Sequence, residues 1–587
     1  MKIASLRKVF LLLIASLFLN SGRASAQAPL EPVQMPPRTV FYFIWRGAPS
    51  SNSAKANALL SLWGDPDFAP TRTLLLDNLL SGSEKDNSRP APLTREGLEQ
   101  YSTLLENPFT LGYISEPEKR TDAAAAAEPS KTSAHTWTGT FFVYDRTGKE
   151  ALLTKAVLRL RAQEKDVPQT SQISIGGAQV LKVERKTGIT YWTETGKYAV
   201  SANERSVLEE VLSRLEEKAP AGSSLAQTAA YKEAAPLLGG GLLEFFGRVQ
   251  GLKNLTSDAS ASGFRIQPIL EALKIESVHS FCGRVTLEGT KTRAQGAVLG
   301  DAAPGTLFDI WAEGQQSPAS LSLVTSGTIS YNDTQINAQG VYDTAKRAFR
   351  ASFPQGQQGS ADLLETLAQT RLGMPLPEAL ALVTGEFASL QSSPALDPAN
   401  QVIFLGIRKK PEILKLMRTI FGDQLTSERN EGDTTYLKIS LRGGQNDAGV
   451  AQWNFYNLAV TPDAILGASR SQALRDLLAH RTLTPAEAGF SVSPQLQTAR
   501  ALFPEKLNGV SFFDFQKLDW QALRDRWIAG AKTAEAKAPK TGAKTSNPHG
   551  LDWLEQINTQ VLTRHLHFAS SASWKDAKGL HYDGWLE

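Results

Sequence analysis

The sequence predicts an α+β fold with two tandem related halves, each an antiparallel sheet with helices packed mainly on one face. Three observations carry this expectation. Runs rich in aromatic and β-branched residues, "TVFYFIW" (39–45) and "WTGTFFVY" (137–144), alternate with stretches of helical apolar period. Three short strands, "QVLKVER", "GITYWTE" and "KYAVSA", follow at meander spacing with "KTG" and "TGK" as turns. Several segments then recur, in the same order, later in the chain.

The first residues read as a leader rather than as part of the fold. Lys2, Arg7 and Lys8 precede an apolar run from Val9 to Leu19, and Ala24-Ser25-Ala26 puts small residues at a cleavage site before Gln27. A signal peptide over 1–26 sends the chain to the periplasm or the exterior. The run is too short to span a bilayer, and no later stretch is apolar for long enough, so no transmembrane segment is expected in the mature chain. Without Lys2, Arg7, Lys8 and Arg23 the chain keeps 58 basic residues against 59 acidic ones. That balance argues against nucleic acid as a partner, because phosphate binding needs a concentrated positive field. Cys282 is the sole cysteine, so no intramolecular disulfide can form and stability must come from large cores.

The helical segments follow from period and caps. Thr147 and Glu150 have capping-box spacing before "ALLTKAVLRL", whose Leu152, Ala156 and Leu160 share a face. Pro411 occupies the comparable first turn later in the chain. Ser201 and Glu204 suggest a second capping box, and Val207, Leu208, Val211, Leu212 and Leu215 form one apolar stripe.

This last stretch, "SANERSVLEEVL" (201–212), recurs as "GASRSQALRDLL" (467–478), where Ser469 and Gln472 can cap and Leu474, Leu477 and Leu478 keep the stripe. "FVYDRTGKEALL" (142–153) lies on "FLGIRKKPEILK" (404–415), and "VLKV" (180–183) on "YLKI" (436–439). "VHSFCGRVTLEGTKTRAQGAV" (278–298) lies on "LHFASSASWKDAKGLHYDGWL" (566–586), and "PPRTVFYFI" (36–44) has a fainter echo in "SPASLSLVT" (317–325). Ordered recurrence predicts an internal duplication: a first half over 27–300, a linker over 301–318 and a second half over 319–587. Segments 116–134 and 529–550, rich in Ala, Lys, Thr, Ser and Pro, read as mobile insertions.

Few residues offer chemistry. His565 and His567, at alternate positions of an expected strand, with His581 on the return strand, are the one histidine cluster, and Asp583 could add a ligand. The plainer reading is a wet hairpin face, since the recurring segment has Ser277, His279 and Arg293 there. Asp65 and Asp67 in "LWGDPDFAP" could serve acid/base work, but Asp67 before Phe68-Ala69-Pro70 suits an N-cap and Asp65-Pro66 a turn. "GRVTLEGTKT" (283–292) is one residue too long between Gly283 and Gly289 for a phosphate loop and sits in an expected hairpin, while "LLGGGLLEFFG" (237–247) lacks dinucleotide spacing. Cys282 reads as buried and inert. No catalytic set, cofactor motif, G-x-S-x-G elbow or H-E-x-x-H helix is present in the sequence.

"MPPRTVFYFIW", "ALLSLWGDPDFAP" and "KYAVSANERSVLEEVLSRLEE" followed by "SLAQTAAYKEAAPLL" resemble a family of secreted bacterial proteins defined by a domain of unknown function. The resemblance implies export and an α+β architecture in two successive halves, and carries no catalytic residue. The expected function is that of a non-enzymatic binding or scaffolding protein of the bacterial envelope, with a protein, peptide or apolar ligand as partner. A carrier of a hydrophobic ligand or lipid, and a hydrolase with a dispersed site, are the alternatives.

Overall fold

The computed structural model describes residues 27–81, 102–115, 139–162, 168–186, 188–216, 223–249, 266–352, 359–440, 457–481, 486–537 and 555–587. The expected leader at 1–26 and insertion at 116–134 lie outside them. The chain divides into two compact units, Met1–Phe264 with Val278–Leu299, and Arg265–Ser277 with Gly300–Glu587. Both mix helices with antiparallel strands.

The first unit contains β1 (Thr39–Trp45), β2 (Phe109–Ile114), β3 (Thr140–Asp145), β4 (Gln169–Ile175), β5 (Ala178–Arg185), β6 (Gly188–Thr195), β7 (Tyr198–Ala202), β8 (Leu243–Arg248), β9 (Val278–Glu288) and β10 (Lys291–Gly300). Their order across the sheet is β4-β5-β6-β7-β3-β2-β1-β8-β9-β10. Alternation sorts the side chains. Tyr42, Ile44, Phe141, Val143, Val200 and Phe246 pack beneath Val207, Leu208, Val211 and Leu212 of the helix Arg205–Leu215. Trp45, Phe109, Tyr144 and Ala199 meet Leu153 and Ala156 of the helix Glu150–Ala162. Successive strand residues point to opposite faces, so these are the two sides of one sheet.

The second unit contains β11 (Ser330–Gln335), β12 (Val383–Gln391), β13 (Gln401–Ile407), β14 (Leu425–Glu431), β15 (Thr434–Ile439), β16 (Asn457–Val460), β17 (Ala464–Ala468), β18 (Gly509–Asp514), β19 (Phe568–Asp576) and β20 (Gly579–Leu586). The order is β14-β15-β16-β17-β13-β12-β11-β18-β19-β20, which is the first order with ten added to each strand. Tyr331, Ala388, Phe404 and Leu466 pack under Leu474 and Leu478 of the helix Ser471–Arg481. Ile407, Leu437 and Val460 pack against Ile413 and Met417 of the helix Lys410–Phe421.

The ladders set the correspondence between the units. Ala202 pairs with Phe141 and Ala468 with Val402, so Phe141 falls on Val402. The sequence match of Phe142 with Phe404 is therefore one residue out, a slip that exchanges the faces of a strand. Matching Leu181 to Leu437 and Cys282 to Ser570 agrees with the ladders. The echo of "PPRTVFYFI" in "SPASLSLVT" does not: Ala319–Leu323 is a 3-10 helix, and β11 occupies the place of β1. One contact recurs in detail. Tyr42 stacks on Phe246 across β1 and β8 at 5.8 Å, and Tyr331 on Phe512 across β11 and β18 at 5.7 Å.

The three expected helix caps give way to other arrangements. Ser201 lies inside β7, and the helix after it is capped by Glu204 without a side-chain bond. Thr147 donates its hydroxyl to Asp145, closing a turn ahead of a helix that begins at Glu150. Ser469 accepts from Asn457 through its carbonyl, and Gln472 pairs with Asp476. Residues 301–318 pack into the second unit, with Phe308 buried and Gln315 bridged to Leu507. The helix Trp520–Lys537 takes in 529–537 of the expected mobile insertion at 529–550, whose residues 538–550 lie outside the described ones.

Close main-chain approach fixes Gly385, where φ is +93° and an added Cβ would stand 1.9 Å from the Ile336 carbonyl oxygen. On the helix Arg205–Leu215, Leu208→Ala should cost about 2–5 kcal/mol of unfolding free energy through lost burial and a cavity. Glu209→Ala, which loses only the exposed pair with Arg205, should change it by less than about 1 kcal/mol. Urea denaturation followed by tryptophan fluorescence separates the two.

Candidate functional site

The histidines do not converge. His565 ends the helix Thr559–His565 rather than occupying a strand, so it does not alternate with His567. His567 lies between that helix and β19, with its ring nitrogen Nε2 3.2 Å from the Arg564 carbonyl oxygen. His581 on β20 stacks on Trp574 at 5.3 Å and meets Asp576 at 3.1 Å. Asp583 is buried on the same strand, opposite Ala572. Among the described residues no three His, Cys, Asp or Glu side chains are grouped to hold a metal ion.

The other sequence candidates resolve into local structure. Asp65, rather than Asp67, is the cap: its side chain accepts from the Asp67 amide at the start of the 3-10 turn Pro66–Phe68. Gly283 and Gly289 belong to the β9–β10 hairpin, with Gly289 at φ +62° in the turn. The glycines at 239–241 lead into β8, and Gly241 has a further role described below. Cys282 is buried, and burial followed by the nearby Glu233 carboxylate pushes its thiol up to about 11, away from the thiolate a nucleophile needs.

The sites of concentrated buried charge are ones that sequence reasoning missed. In the first unit, Arg46 follows β1 and sits against β8. Its guanidinium donates to the Gly241 carbonyl at 3.0 Å, to Glu244 at 3.3 Å, and to both carboxylate oxygens of Glu31. Glu244, 1% exposed, also accepts the Gly241 amide at 2.8 Å, and Glu31 accepts the Ala28 amide. Burial works against the charge on Arg46, but Glu31 and Glu244 more than offset it and hold the guanidinium above its ordinary value.

The second unit has carboxylates at the corresponding end of its sheet, and among the described residues no cation is bonded to them. Asp333 on β11 and Glu386 on β12 are each 3% exposed. Glu386 accepts the Ser320 amide at 2.7 Å and the Ala319 amide at 3.2 Å. Asp333 accepts from the Gln335 side chain at 3.3 Å, and Gln335 in turn accepts from Gln315. The Tyr331 hydroxyl meets Ser320 at 2.8 Å. Burial, and then the charge of Glu386, raise Asp333 well above the usual carboxylate range, against the opposing bonds from Gln335 and the Thr334 amide.

Neighbouring buried carboxyls are the raw material of acid/base chemistry. Here they are spent inside the core. In each unit a carboxylate grips the main chain that precedes the first strand: Glu31 within 28–31, and Glu386 on 319–320. Those segments bury Leu30 and Met35 in one unit and Leu321 and Leu323 in the other. A faint sequence signal existed for Glu244, the one charge inside "LLEFFG", whereas nothing in "SYNDTQ" marks Asp333 as buried. Comparison with protein-family models, with curated proteins and with solved structures returned no match.

Two outcomes test this assignment. Arg46→Met strands Glu244 and Glu31 without their cation and should cost about 3–5 kcal/mol, read as a lowered urea midpoint. Asp333 has a folded-state value above its unfolded one. Its stabilising contribution is complete below about pH 4 and is lost as pH climbs through the raised folded value. Asp333→Asn should match the native chain in thermal midpoint near pH 4 and exceed it near pH 8. Scanning calorimetry across that range measures the difference.

Proposed function

We propose that the chain is an exported binding or scaffolding protein of the bacterial envelope that acts through its surface rather than through a reactive centre. The observation that carries this reading is where polar and apolar groups have been placed. The carboxylates Glu244, Asp333 and Glu386 are sealed in the cores and hydrogen-bonded there, while large apolar side chains stand in solvent. Leu363 and Leu367, one turn apart on the helix Gly359–Leu372, are 59% and 56% exposed. That helix is fixed to the helix Ala338–Ser352 by Glu365, which accepts from Tyr342 and pairs with Lys346. Val341 and Phe349 of the second helix are also exposed. Apolar side chains held at the surface by ionic ties suit an apolar contact with a protein partner.

The basic, apolar and small-residue zones of the first 26 residues support export. Among the described residues no helix is long and apolar enough to cross a membrane.

Purification from the native envelope under non-denaturing conditions, followed by native and intact mass spectrometry, tests the reading. The expected result is a mature chain beginning at Gln27 that carries a protein partner, with the partner lost from the double variant Leu363→Glu/Leu367→Glu. A retained lipid without a protein would favour the carrier alternative. Hydrolysis of ester, peptide or glycoside substrates by the purified chain would favour the hydrolase alternative and overturn the proposal.

A further inference from the structure

Strand β4 is the outer strand of the first unit's sheet, and among the described residues it pairs only with β5. The two-residue turn Gly176-Gly177, with φ of +59° and +85°, joins Ile175 to its partner Ala178. A two-residue hairpin makes that end pair a hydrogen-bonded one. By alternation Ile175, Ile173, Ser171 and Gln169 direct their main-chain groups toward β5. Thr170, Gln172 and Ser174 direct theirs outward, and Pro168, without an N–H, ends the row.

Sheet edges of this kind are normally protected by charge, proline or a bulge. The β14 edge of the second unit follows that rule. It carries Glu428, Arg429 and Glu431, with Arg418 bonded to Glu428 at 2.6 Å and Arg429 to Glu431 at 3.0 Å. The β4 edge does not. Gln169, Thr170, Ser171, Gln172 and Ser174 are all exposed, and none is charged. Two strands in the same position of the same strand order thus differ in the charge they carry along the edge.

We propose that β4 is the seam of an isologous homodimer, in which two copies pair edge to edge and antiparallel about Gln172. An antiparallel pair of identical strands is self-complementary by symmetry. Gln172 then faces Gln172 of the second copy, and Thr170 faces Ser174, so no like charges meet. The same pairing at β14 about Glu428 would set that carboxylate against itself. A mature chain with 58 basic and 59 acidic residues adds no long-range repulsion between copies. The seam is short, so association is weak and concentration-dependent.

Sedimentation velocity of the mature full-length chain over a concentration series tests the proposal, and it does so independently of the partner surface discussed above. The expected result is a reversible monomer–dimer equilibrium that shifts to monomer in Gln172→Pro and in Gln172→Lys. Both should keep the native circular dichroism spectrum, because the amide at 172 is not part of the β4–β5 ladder. Mixing Gln172→Lys with Gln172→Glu should restore a dimer that neither forms alone. A chain that stays monomeric throughout the series, or a dimer that survives both Gln172→Pro and Gln172→Lys, overturns the proposal.

Discussion

A carboxylate at the edge of an apolar core has to find donors there, and in each unit one of them ties in the segment that precedes the first strand. Glu386 takes the amides of Ala319 and Ser320, and Glu31 takes that of Ala28 while clamping Arg46. Leaving such a carboxylate unmatched would cost more than any single apolar contact nearby provides. The segment before the first strand is thereby locked in place, and its leucines close the core over the central pairs β1–β8 and β11–β18. The stacked pairs Tyr42–Phe246 and Tyr331–Phe512 lie in those same pairs.

The two units solve this problem with different residues. The ladders place Ile44 on Asp333, Glu244 on Val510 and Cys282 on Ser570. Apolar positions on the covering helices match between the units, with Val207 and Leu208 answered by Ala473 and Leu474. The buried carboxylates stand on different strands in the two units, and what the units share is that Glu244, Asp333 and Glu386 are each hydrogen-bonded. This pattern is what packing constraints leave behind, and it is the physical reason for reading the polar clusters as fastenings.

Much of this architecture was legible in the sequence. The aromatic run that forms β1, the meander β5–β7 and the stripe from Val207 to Leu212 each follow from a period set by backbone geometry. The helix starts were less legible, because Ser201 and Thr147 have capping-box spacing yet are claimed by a strand and by a turn onto Asp145. A one-residue slip at Phe142 was invisible because both neighbours are apolar and each face of the sheet is covered. Asp333 and Glu386 escaped for the opposite reason: polar strands look exposed until neighbouring strands and the 319–323 turn bury them. The histidine grouping failed because a helix, not a strand, runs up to His565.

The chain enters the second unit before it has finished the first. Residues 265–277, which include the helix Ile266–Ala272, belong with the second unit, where Arg347 donates to the Ala272 carbonyl, yet β9 and β10 return to the first. Neither lobe is a continuous stretch of gene. A fragment cut at residue 300 carries away a helix that belongs to the other lobe, and a fragment begun there lacks it. During synthesis from the N-terminus, that helix must wait as an orphan until residues 338–352 follow.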